Sequence, residues 1–295
     1  GSMKILLTGA TGFIGRRFTR LAAARAHQIL PVSRRPPAGG FDWSPESLAA
    51  GVAAADAIVH LAGENLFHRR WTERQKQVLL SSRVDTTSRL AALAAERRPR
   101  AFVSASAVGY YGPSERLALD EETPPGSDFL ATVCRRWEEA TAAATAAGVR
   151  TVIARLGIVL GREDGALKQM LPPFKLGIGG PIGSGRQWVS WIHADEAAAL
   201  LLFLLERESA AGPYNATAPN PVTMKELART LGRVLRRPAV LPVPGFALRI
   251  ALGEVADVLV SGQHVVPRRA VEEGFQFHFA RLEDALRDLL ERRAA

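Results

Sequence analysis

The stretch TGATGFIG at residues 8–15 is the feature that most constrains what this chain can fold into. It follows a short apolar run, KILLTG, and opens an amphipathic segment, an order that predicts a buried strand, a tight turn and a helix. Gly9 permits the turn, Gly12 lets backbone approach a ligand without a Cβ in the way, and Gly15 lets helix and strand pack closely. Unpaired N–H groups at such a helix N-terminus favour an anion, so the stretch predicts a phosphate-binding loop. The alternative is a plain strand-to-helix turn.

Apolar runs and amphipathic segments alternate along the first 161 residues. The apolar runs predict strands at residues 4–9, 28–35, 56–65, 100–109 and 149–161. The amphipathic segments predict helices at residues 12–26, 71–98 and 128–147. Strands buried on both faces that alternate with helices indicate a parallel sheet covered on both sides. With right-handed crossovers this becomes a doubly wound, Rossmann-type α/β fold.

The end of the second strand decides which dinucleotide such a fold binds. NAD sites commonly place Asp or Glu there, which accepts a hydrogen bond from the adenosine ribose. This chain has Ser33, Arg34 and Arg35 instead, and its next carboxylate is Asp42. Because a guanidinium attracts a 2′-phosphate, we expect NADP(H) rather than NAD(H). A solvated arginine pair is the alternative.

The residue pattern of the sequence changes after about residue 165. Residues 172–188 are rich in Gly and Pro and predict a long loop. A strand that runs into a helix follows, and then a short strand at 213–218 and helices at 224–237 and 282–293. We therefore expect an NADP(H)-binding Rossmann domain over residues 3–165 and a smaller C-terminal α+β lobe on the substrate side over 166–295. Residues 188–206 are expected to return partly to the first domain.

Composition narrows the class of protein. Of the 295 residues, 47% are hydrophobic and 23% are charged, as is typical of soluble globular proteins. The longest apolar run, residues 197–205, is too short to span a bilayer. The single cysteine, Cys134, excludes an intrachain disulfide and favours the reducing cytoplasm. The formal net charge is +9, but the arginines are spread without a dense basic block, so we expect a small-molecule substrate and neither a nucleic acid nor a membrane as partner.

Motifs along nearly the whole chain resemble the extended short-chain dehydrogenase/reductase superfamily, and within it an atypical, NAD(P)-dependent epimerase-like family. The motifs are TGATGFIG, VSRRP, HLAGEN, RRWTERQKQ, SASAVGYYG, GGPIGSGRQWVSWIH and NATAPNPV. The glycine loop is shared widely, whereas SASAVGYYG and GGPIGSGRQWVSWIH are more specific. Since the substrates of this family are largely unassigned, the resemblance implies a fold and a cofactor more firmly than a reaction.

The resemblance also implies which residues contact the cofactor. The glycine-rich loop would contribute Gly9, Thr11, Gly12, Phe13, Ile14 and Gly15, and the second strand would contribute Ser33, Arg34 and Arg35. Leu61, Ala62, Gly63 and Arg83 would lie at the adenine side, and Leu156, Gly157 and Ile158 near the nicotinamide, with Ser104 completing the set. Superfamily members often dimerise through the helices predicted at 71–98 and 128–147, so the resemblance suggests a homodimer.

Active members of that superfamily position the substrate oxygen with a serine or threonine. They transfer the proton with a tyrosine, whose pKa is lowered by a lysine four residues later. Ser106 in SASAVGYYG matches the serine, and Ser104 is the alternative if the register differs. The tyrosine and lysine places fall on Leu130 and Cys134. No tyrosine occurs between residues 111 and 214 and no lysine between residues 76 and 168, so the pair is absent from this helix in any register.

Another residue would then have to transfer the proton. Tyr110 and Tyr111 lie four and five residues beyond Ser106, and either could serve; packing is the alternative for both. Cys134 could act as an acid if its pKa were depressed, but it lies on the apolar stripe of its helix, which favours core packing. The chain is therefore predicted to be an oxidoreductase on a small carbonyl or sugar-like substrate. The rival prediction is a catalytically silent NADP(H)-binding sensor or scaffold.

Three further residues are candidates for contact with the substrate. Arg186 and Trp188 lie in the glycine-rich stretch GIGGPIGSGRQW, which could close over a substrate, with Arg186 meeting an anionic group. A solvated surface loop is the alternative. The resemblance places His193 beside the substrate cleft, although His193 and Asp195 could instead make a structural hydrogen bond and a helix cap. The six histidines lack ligand spacing, so no metal is expected.

Overall fold

The computed structural model describes residues 1–62 and 70–291. The strands are β1 (Lys4–Thr8), β2 (Gln28–Val32), β3 (Ala57–His60), β4 (Ala101–Ala107), β5 (Thr151–Leu156), β6 (Ile158–Leu160), β7 (Trp188–Val189), β8 (Trp191–His193), β9 (Gly212–Ala216) and β10 (Val222–Thr223). The longer helices are α1 (Phe13–Ala24), α2 (Pro45–Ala54), α3 (Glu73–Arg97), α4 (Phe129–Glu139), α5 (Ala142–Ala146), α6 (Gly165–Lys175), α7 (Ala194–Glu206) and α8 (Met224–Leu235). The remaining helices are α9 (Gly245–Leu252), α10 (Ala256–Leu259), α11 (Arg268–Glu272) and α12 (Leu282–Glu291), and single 3₁₀ turns span Val108–Tyr111 and Gly253–Val255.

A six-stranded sheet in the order β2-β1-β3-β4-β5-β9 forms the centre of the molecule. Its neighbouring strands all pair in parallel. Alternate residues of β1 face opposite layers: Ile5 and Leu7 pack with α1 and α7, whereas Leu6 packs with α2, α3 and α5. The predicted doubly wound parallel sheet is therefore confirmed, because helices cover both of its faces.

Two predicted elements are interrupted in the structure. The helix predicted at 128–147 is divided into α4 and α5 near Thr141, whose hydroxyl donates to the Glu138 carbonyl at 2.7 Å. The strand predicted at 149–161 is divided into β5 and β6 at Gly157, which sits so close to Ser190 that a Cβ would lie 2.6 Å from the Ser190 carbonyl oxygen. The break lets β6 leave the main sheet and pair with β8.

The predicted loop at 172–188 was placed too early, because its first four residues belong to α6. Pro172 and Pro173 lie inside this helix, although proline lacks the helical N–H donor and crowds the preceding turn. Leu171 and Phe174 are buried in a second core shared with α8 and α12. This burial outweighs the local preference of the proline pair for a loop.

The C-terminal part of the chain contributes to both hydrophobic cores of the molecule. α6, α8 and α12 enclose the second core. α7 and β9 belong to the first, where β9 pairs with β5 at the sheet edge. α7 is apolar over most of its length, yet within the described residues no helix is long and apolar enough to cross a membrane. The division into two domains near residue 165 stays a prediction.

Candidate functional site

The glycine-rich loop has the geometry of an anion cradle. Gly9 adopts a φ of +72°, in the left-handed region that favours glycine. A Cβ on Gly15 would overlap the Gly9 carbonyl oxygen and come within 2.9 Å of the Ala10 Cα. Gly12 is the N-cap of α1 and makes no side-chain capping bond, and the first turn carries no acidic residue. The first N–H groups of α1 therefore stay available for an anion.

Two arginine side chains link the start of α1 to residues much later in the chain. Arg16 donates to the Thr11 carbonyl at 2.6 Å and to Asp164 at 2.9 Å. Arg17 donates to Asp195 at 2.9 Å. The Phe13 ring lies against Gly161 and Gly165, where added Cβ atoms would come within 3.0 and 3.4 Å of it. Ile14, the other residue predicted to contact the cofactor here, packs partly buried against the first core.

A buried hydrogen-bond chain that the sequence did not reveal lies beside the glycine-rich loop. The Thr8 hydroxyl oxygen accepts from the backbone N–H groups of Leu61 and Ala62 at 3.0 and 3.1 Å, and it lies 2.6 Å from His60 Nδ1. Its single proton must then point at His60 Nδ1, which makes Nε2 the protonated ring nitrogen that donates to Thr87 at 3.0 Å. Burial, aided by the charge of Arg83, lowers the pKa of His60 to about 3, so the ring is neutral.

The other residues predicted at the adenine side are found as follows. Leu61 and Ala62 touch Gly9, because a Cβ there would lie 3.0 Å from the Leu61 carbonyl carbon and 3.1 Å from the Ala62 nitrogen. Gly63 lies outside the described residues. Arg83 is buried between α3 and α4, with its guanidinium carbon 5.1 Å from the centre of the Trp137 ring.

The end of β2 presents two exposed guanidinium groups. The Ser33 backbone N–H donates to the Phe41 carbonyl at 3.0 Å, which turns the chain immediately after the strand. Arg34 and Arg35 follow and are exposed. In the described part of the chain, neither side chain forms an ion pair, and the Asp42 carboxylate is instead bonded to the Ser44 backbone N–H at 2.8 Å. Hydrogen bonds from Ser44 also hold the pKa of Asp42 below its ordinary value.

The carboxyl end of β4 carries the two predicted serines. The Ser104 side-chain oxygen is fully buried and has no hydrogen-bond partner among the described residues. The Ser106 hydroxyl donates to Glu138 Oε2 at 2.7 Å. Glu138 lies on α4, and Arg155 of β5 donates two hydrogen bonds of 2.8 and 3.0 Å to its carboxylate. Ser106 therefore has a fixed hydroxyl direction.

The neighbouring tyrosines both contact Arg155 but differ in burial. The Tyr111 hydroxyl donates to Asn215 Oδ1 at 2.6 Å and accepts from Arg155 at 3.0 Å. Burial raises the pKa of Tyr111 to about 12 despite the nearby guanidinium. The Tyr110 ring is only partly buried, and its centre lies 3.6 Å from the guanidinium carbon of Arg155. Tyr111 is thus bonded within a buried network, whereas the Tyr110 ring contacts the Arg155 guanidinium and the Tyr111 ring, whose centre lies 5.3 Å away.

Leu130 and Cys134 occupy the helix face that meets this strand end. A Cβ on Gly109 would come within 2.8 Å of Leu130 and 3.8 Å of the Cys134 sulfur. Cys134 is buried, and desolvation, followed by the charge of Glu138, raises the pKa of its thiol to about 12. This favours core packing over an acidic role for Cys134.

The predicted nicotinamide segment runs along the edge of the same site. Gly157 donates to the Ala216 carbonyl at 3.0 Å, and Ile158 donates to the Ser190 carbonyl at 2.8 Å. Leu156 is partly buried against the first core, whereas Ile158 keeps 40% of its surface exposed. An exposed apolar side chain at the strand end suits contact with a planar ring.

The three predicted substrate residues lie in different surroundings. Arg186 is exposed on its loop, and Trp188 packs edge-on against His264 with ring centres 4.6 Å apart. His193 is buried and caps α7: its Nδ1 accepts from the Asp195 backbone N–H at 3.0 Å. Its Nε2 lies 2.8 Å from Asp288. With both ring nitrogens engaged, the structural alternative is favoured for His193.

Ligand atoms of His193, Asp195 and Asp288 lie within 4.8 Å of one another, which is close enough to hold a metal ion. However, Asp195 already pairs with Arg17 at 2.9 Å, and His193 uses both of its nitrogens. The group is accounted for by hydrogen bonds that join α1, α7 and α12.

The parallel sheet, the open helix N-terminus and the glycine-rich loop together define a Rossmann-type nucleotide-binding protein. Residues 5–217 match the model of the NAD dependent epimerase/dehydratase family, and residues 243–289 match a domain of unknown function, DUF1731. The chain belongs to the NAD dependent epimerase/dehydratase family, which confirms the family predicted from the sequence.

Relatives and solved structures agree over nearly the whole chain. The chloroplastic epimerase family protein SDR39U1 homolog of Arabidopsis thaliana is 44% identical over 98% of this chain and 87% of its own length. A crystal structure of human epimerase family protein SDR39U1 (isoform 2) with NADPH covers 99% of this chain and 100% of that chain, at 39% identity and a TM-score of 0.92. A nucleoside-diphosphate sugar epimerase from Corynebacterium glutamicum covers 98% of this chain and 58% of that chain, at 32% identity and a TM-score of 0.78.

Sequence reasoning missed the side chains that organise the site. Arg155 stands alone in the apolar stretch TVIARLG, and a charge inside a buried strand requires a partner. Glu138 is that partner, and its contact with Arg155 depends on how α4 packs beside β5. His60 also ends a buried strand, and its position beside Thr8 follows only from the parallel pairing of β1 with β3.

Proposed function

We propose that this chain is an NADP(H)-dependent oxidoreductase of the epimerase-like type that acts on a small carbonyl or sugar-like substrate. The observation that carries the proposal is the Ser106 hydroxyl, fixed by the Glu138–Arg155 pair at the strand edge where the predicted cofactor contacts converge. A protein that only bound a nucleotide would not need this oriented group.

The residues present fit the cofactor. The open N-terminus of α1 would bind the pyrophosphate, since it offers N–H donors and lacks a competing acid. Arg34 and Arg35 would bind a 2′-phosphate, because in the described structure they have no carboxylate to neutralise them. The human relative crystallised with NADPH is similar over the whole length of this chain, which supports the same choice. When bound, this cofactor supplies or accepts a hydride.

Ser106 would orient the substrate oxygen. Its own proton points at Glu138, so its lone pairs can accept a hydrogen bond from a substrate hydroxyl, whereas a substrate carbonyl would require that proton to turn away from Glu138. Arg155 holds Glu138 with two bonds, and this fixes the acceptor of the serine proton when no carbonyl is bound. The buried ion pair thus acts through Ser106 and does not touch the substrate itself.

Tyr110 is the residue we propose for proton transfer. Its ring is only partly buried, and the Arg155 guanidinium carbon lies 3.6 Å from the ring centre, which places Tyr110 beside the Ser106 network. Tyr111 is a weaker candidate because its hydroxyl is occupied by Asn215 and Arg155 and its pKa is raised to about 12. Arg186 and Trp188 would contact the rest of the substrate from their loop.

A catalytically silent NADP(H)-binding sensor or scaffold is the second candidate. Buried Leu130 and Cys134 fill the helix face on which active superfamily members carry their proton-transfer pair, and this observation favours it. The two candidates differ in turnover and not in cofactor binding. The proposed setting for either is the cytoplasm, and the proposed assembly is a homodimer through α3 and α4.

The test has two stages. Nucleotide-free protein is titrated with NADPH and NADH, following nicotinamide fluorescence, and tight NADPH binding with weak NADH binding is expected. NADPH oxidation is then followed with a panel of small aldehydes, ketones and nucleotide-linked keto sugars, with Ser106→Ala as the matched variant. Turnover that Ser106→Ala abolishes supports the enzyme. NADPH binding without turnover on any member of the panel supports the sensor, and failure to bind either nucleotide removes both.

A further inference from the structure

Helix α8 aligns basic side chains that are separated from one another in the sequence. Lys225, Arg229, Arg233 and Arg236 follow one another at spacings of four, four and three residues along α8 and its C-cap. Such spacing places them on one face of a helix. The buried face of α8 packs into the second core, so this basic face is turned to solvent.

A cavity of about 520 Å³ lies along this basic face. The four basic side chains and Arg237 line it, and Pro181, Ala239 and Val240 form an apolar wall. Gly232 makes the close approach possible, because a Cβ there would lie 2.7 Å from the Ala239 Cβ. Its volume is that of a small-molecule site. None of its lining residues belongs to the Ser106 network or to the glycine-rich loop.

The positive charge in the cavity is largely uncompensated. Arg233 pairs with Glu283 at 2.7 Å, and this contact lowers the pKa of the Glu283 carboxyl. Arg237 donates to the backbone carbonyls of Lys175 and Arg236. Elsewhere in the described ranges no carboxylate lies within ion-pair distance of Lys225, Arg229 or Arg236.

The helix dipole does not account for this arrangement. Cations are stabilised in the last turn of a helix, which suits Arg233. Lys225, however, lies in the first turn of α8, where the dipole opposes a positive charge. Like charges four residues apart on a helix also repel one another. A bound anion would remove both unfavourable contributions.

We propose that this cavity is a second ligand site, which binds a phosphate-bearing anion of at least two negative charges, separately from the cofactor. Lys225, Arg229 and Arg236 would pair with the phosphates. The apolar wall would contact the organic part of the ligand. Leu176, Ile178, Val240 and Leu241 are exposed beside the cavity, so the phosphate could belong to a soluble metabolite or to a lipid headgroup.

The experiment measures pyrophosphate binding by isothermal titration calorimetry in 150 mM salt with one equivalent of NADPH per chain. That amount occupies the glycine-rich loop and Arg34 and leaves little free NADPH to compete with the probe at the cavity. We expect saturable binding, with a loss of affinity of about tenfold or more in Arg229→Ala/Arg236→Ala, since each charged hydrogen bond is strong. The matched control is Arg20→Ala/Arg97→Ala, which removes two exposed helical arginines outside the cavity and should bind as the unmodified chain does.

Absence of binding to the unmodified chain, or equal affinity in Arg229→Ala/Arg236→Ala, would overturn the site. Sedimentation with vesicles of phosphatidylcholine, with and without phosphatidylglycerol, identifies the source of the phosphate. Pyrophosphate binding without vesicle binding supports a soluble ligand. Vesicle binding that needs both phosphatidylglycerol and the two arginines supports a lipid headgroup.

Discussion

Arg155 and Glu138 form a two-point ion pair, with Arg155 Nη2 2.8 Å from Glu138 Oε1 and Arg155 Nε 3.0 Å from Glu138 Oε2. Only 4% of the arginine side chain and 13% of the glutamate side chain are exposed. The pair joins β5 to α4 and also receives the Ser106 hydroxyl. Under the proposed role of Ser106, substitutions of Glu138 should therefore affect both stability and turnover.

Glu138→Gln should lower the free energy of unfolding by about 3 kcal/mol, because it leaves the buried Arg155 without a counter-charge. Chemical denaturation measures this directly. Glu139→Gln is the matched control: the same change one residue later, at an exposed position, should stay within about 0.5 kcal/mol of the unmodified chain. Equal effects at the two positions would contradict the role of the ion pair.

Tyr110→Phe should reduce turnover, whereas Tyr111→Phe should reduce stability. If Tyr110 transfers the proton, Tyr110→Phe should lower kcat about 100-fold or more with little change in stability. Tyr111→Phe removes a buried hydroxyl bonded to Asn215 and Arg155 and should cost about 1 kcal/mol of unfolding free energy. The unfolding free energies can be compared directly, and kcat can be compared once a substrate is known. A larger loss of kcat in Tyr111→Phe than in Tyr110→Phe would assign the proton transfer to Tyr111.

Arg34→Asp should reverse the choice of nucleotide. The carboxylate would repel a 2′-phosphate and accept a hydrogen bond from a ribose hydroxyl, so NADPH should bind at least about tenfold more weakly while NADH binding holds or improves. Fluorescence titration gives both constants. Arg116→Asp makes the same charge change at an exposed loop position and should leave the preference intact. An unchanged preference in Arg34→Asp would defeat the assignment.

Substitutions at Gly15 and Gly12 should affect stability and NADPH binding to different degrees. Gly15→Ala places a methyl group on the Gly9 carbonyl oxygen and should cost about 3 kcal/mol of stability. Gly12→Ala meets the same oxygen at 3.3 Å and should be milder in stability, yet it obstructs the approach of a pyrophosphate. Thermal unfolding and NADPH titration of both variants test this order, and equal stability losses would oppose it.

His60 should make the protein less stable in mild acid. Its pKa is lowered to about 3 in the folded state, whereas the unfolded chain takes up the proton near the ordinary value of 6.5. The stabilisation is full above pH 6.5 and is lost as the pH falls toward 3, at about 1.4 kcal/mol per pH unit. His60→Asn lacks this contribution, so the gap in unfolding free energy between the two chains should narrow steadily below pH 6.5. A constant gap would contradict the assignment.

The fold was accessible from sequence because its signals are local and repeated. TGATGFIG combines a strand, a glycine turn and a helix within a short distance, and the buried strands of a parallel sheet are apolar on both faces. Pro172 and Pro173 misled the prediction because their local preference was outweighed by the burial of Phe174 in a core formed with the distant helices α8 and α12. Gly157 ends β5 for a similarly distant reason, its contact with Ser190.

The site was accessible only in part. The resemblance to the superfamily pointed to Ser106, and the positions of the tyrosines and lysines showed that the tyrosine–lysine pair is absent from the helix. The Glu138–Arg155 pair, the Thr8–His60–Thr87 chain and the basic cavity depend on which strands and helices become neighbours. The even spread of arginines in the sequence concealed the basic face of α8, because a spacing of four residues looks unremarkable until the helix is formed.

The position of β9 has a consequence for how the protein is made. The sheet takes its sixth strand from residues 212–216, after the chain has left to build β6, α6 and α7. A nascent chain that stopped at residue 165 would expose the open edge of β5 and the apolar face that α7 covers, and such edges invite pairing with other chains. Translation must therefore proceed to residue 216, far past the glycine-rich loop, before the first core can close.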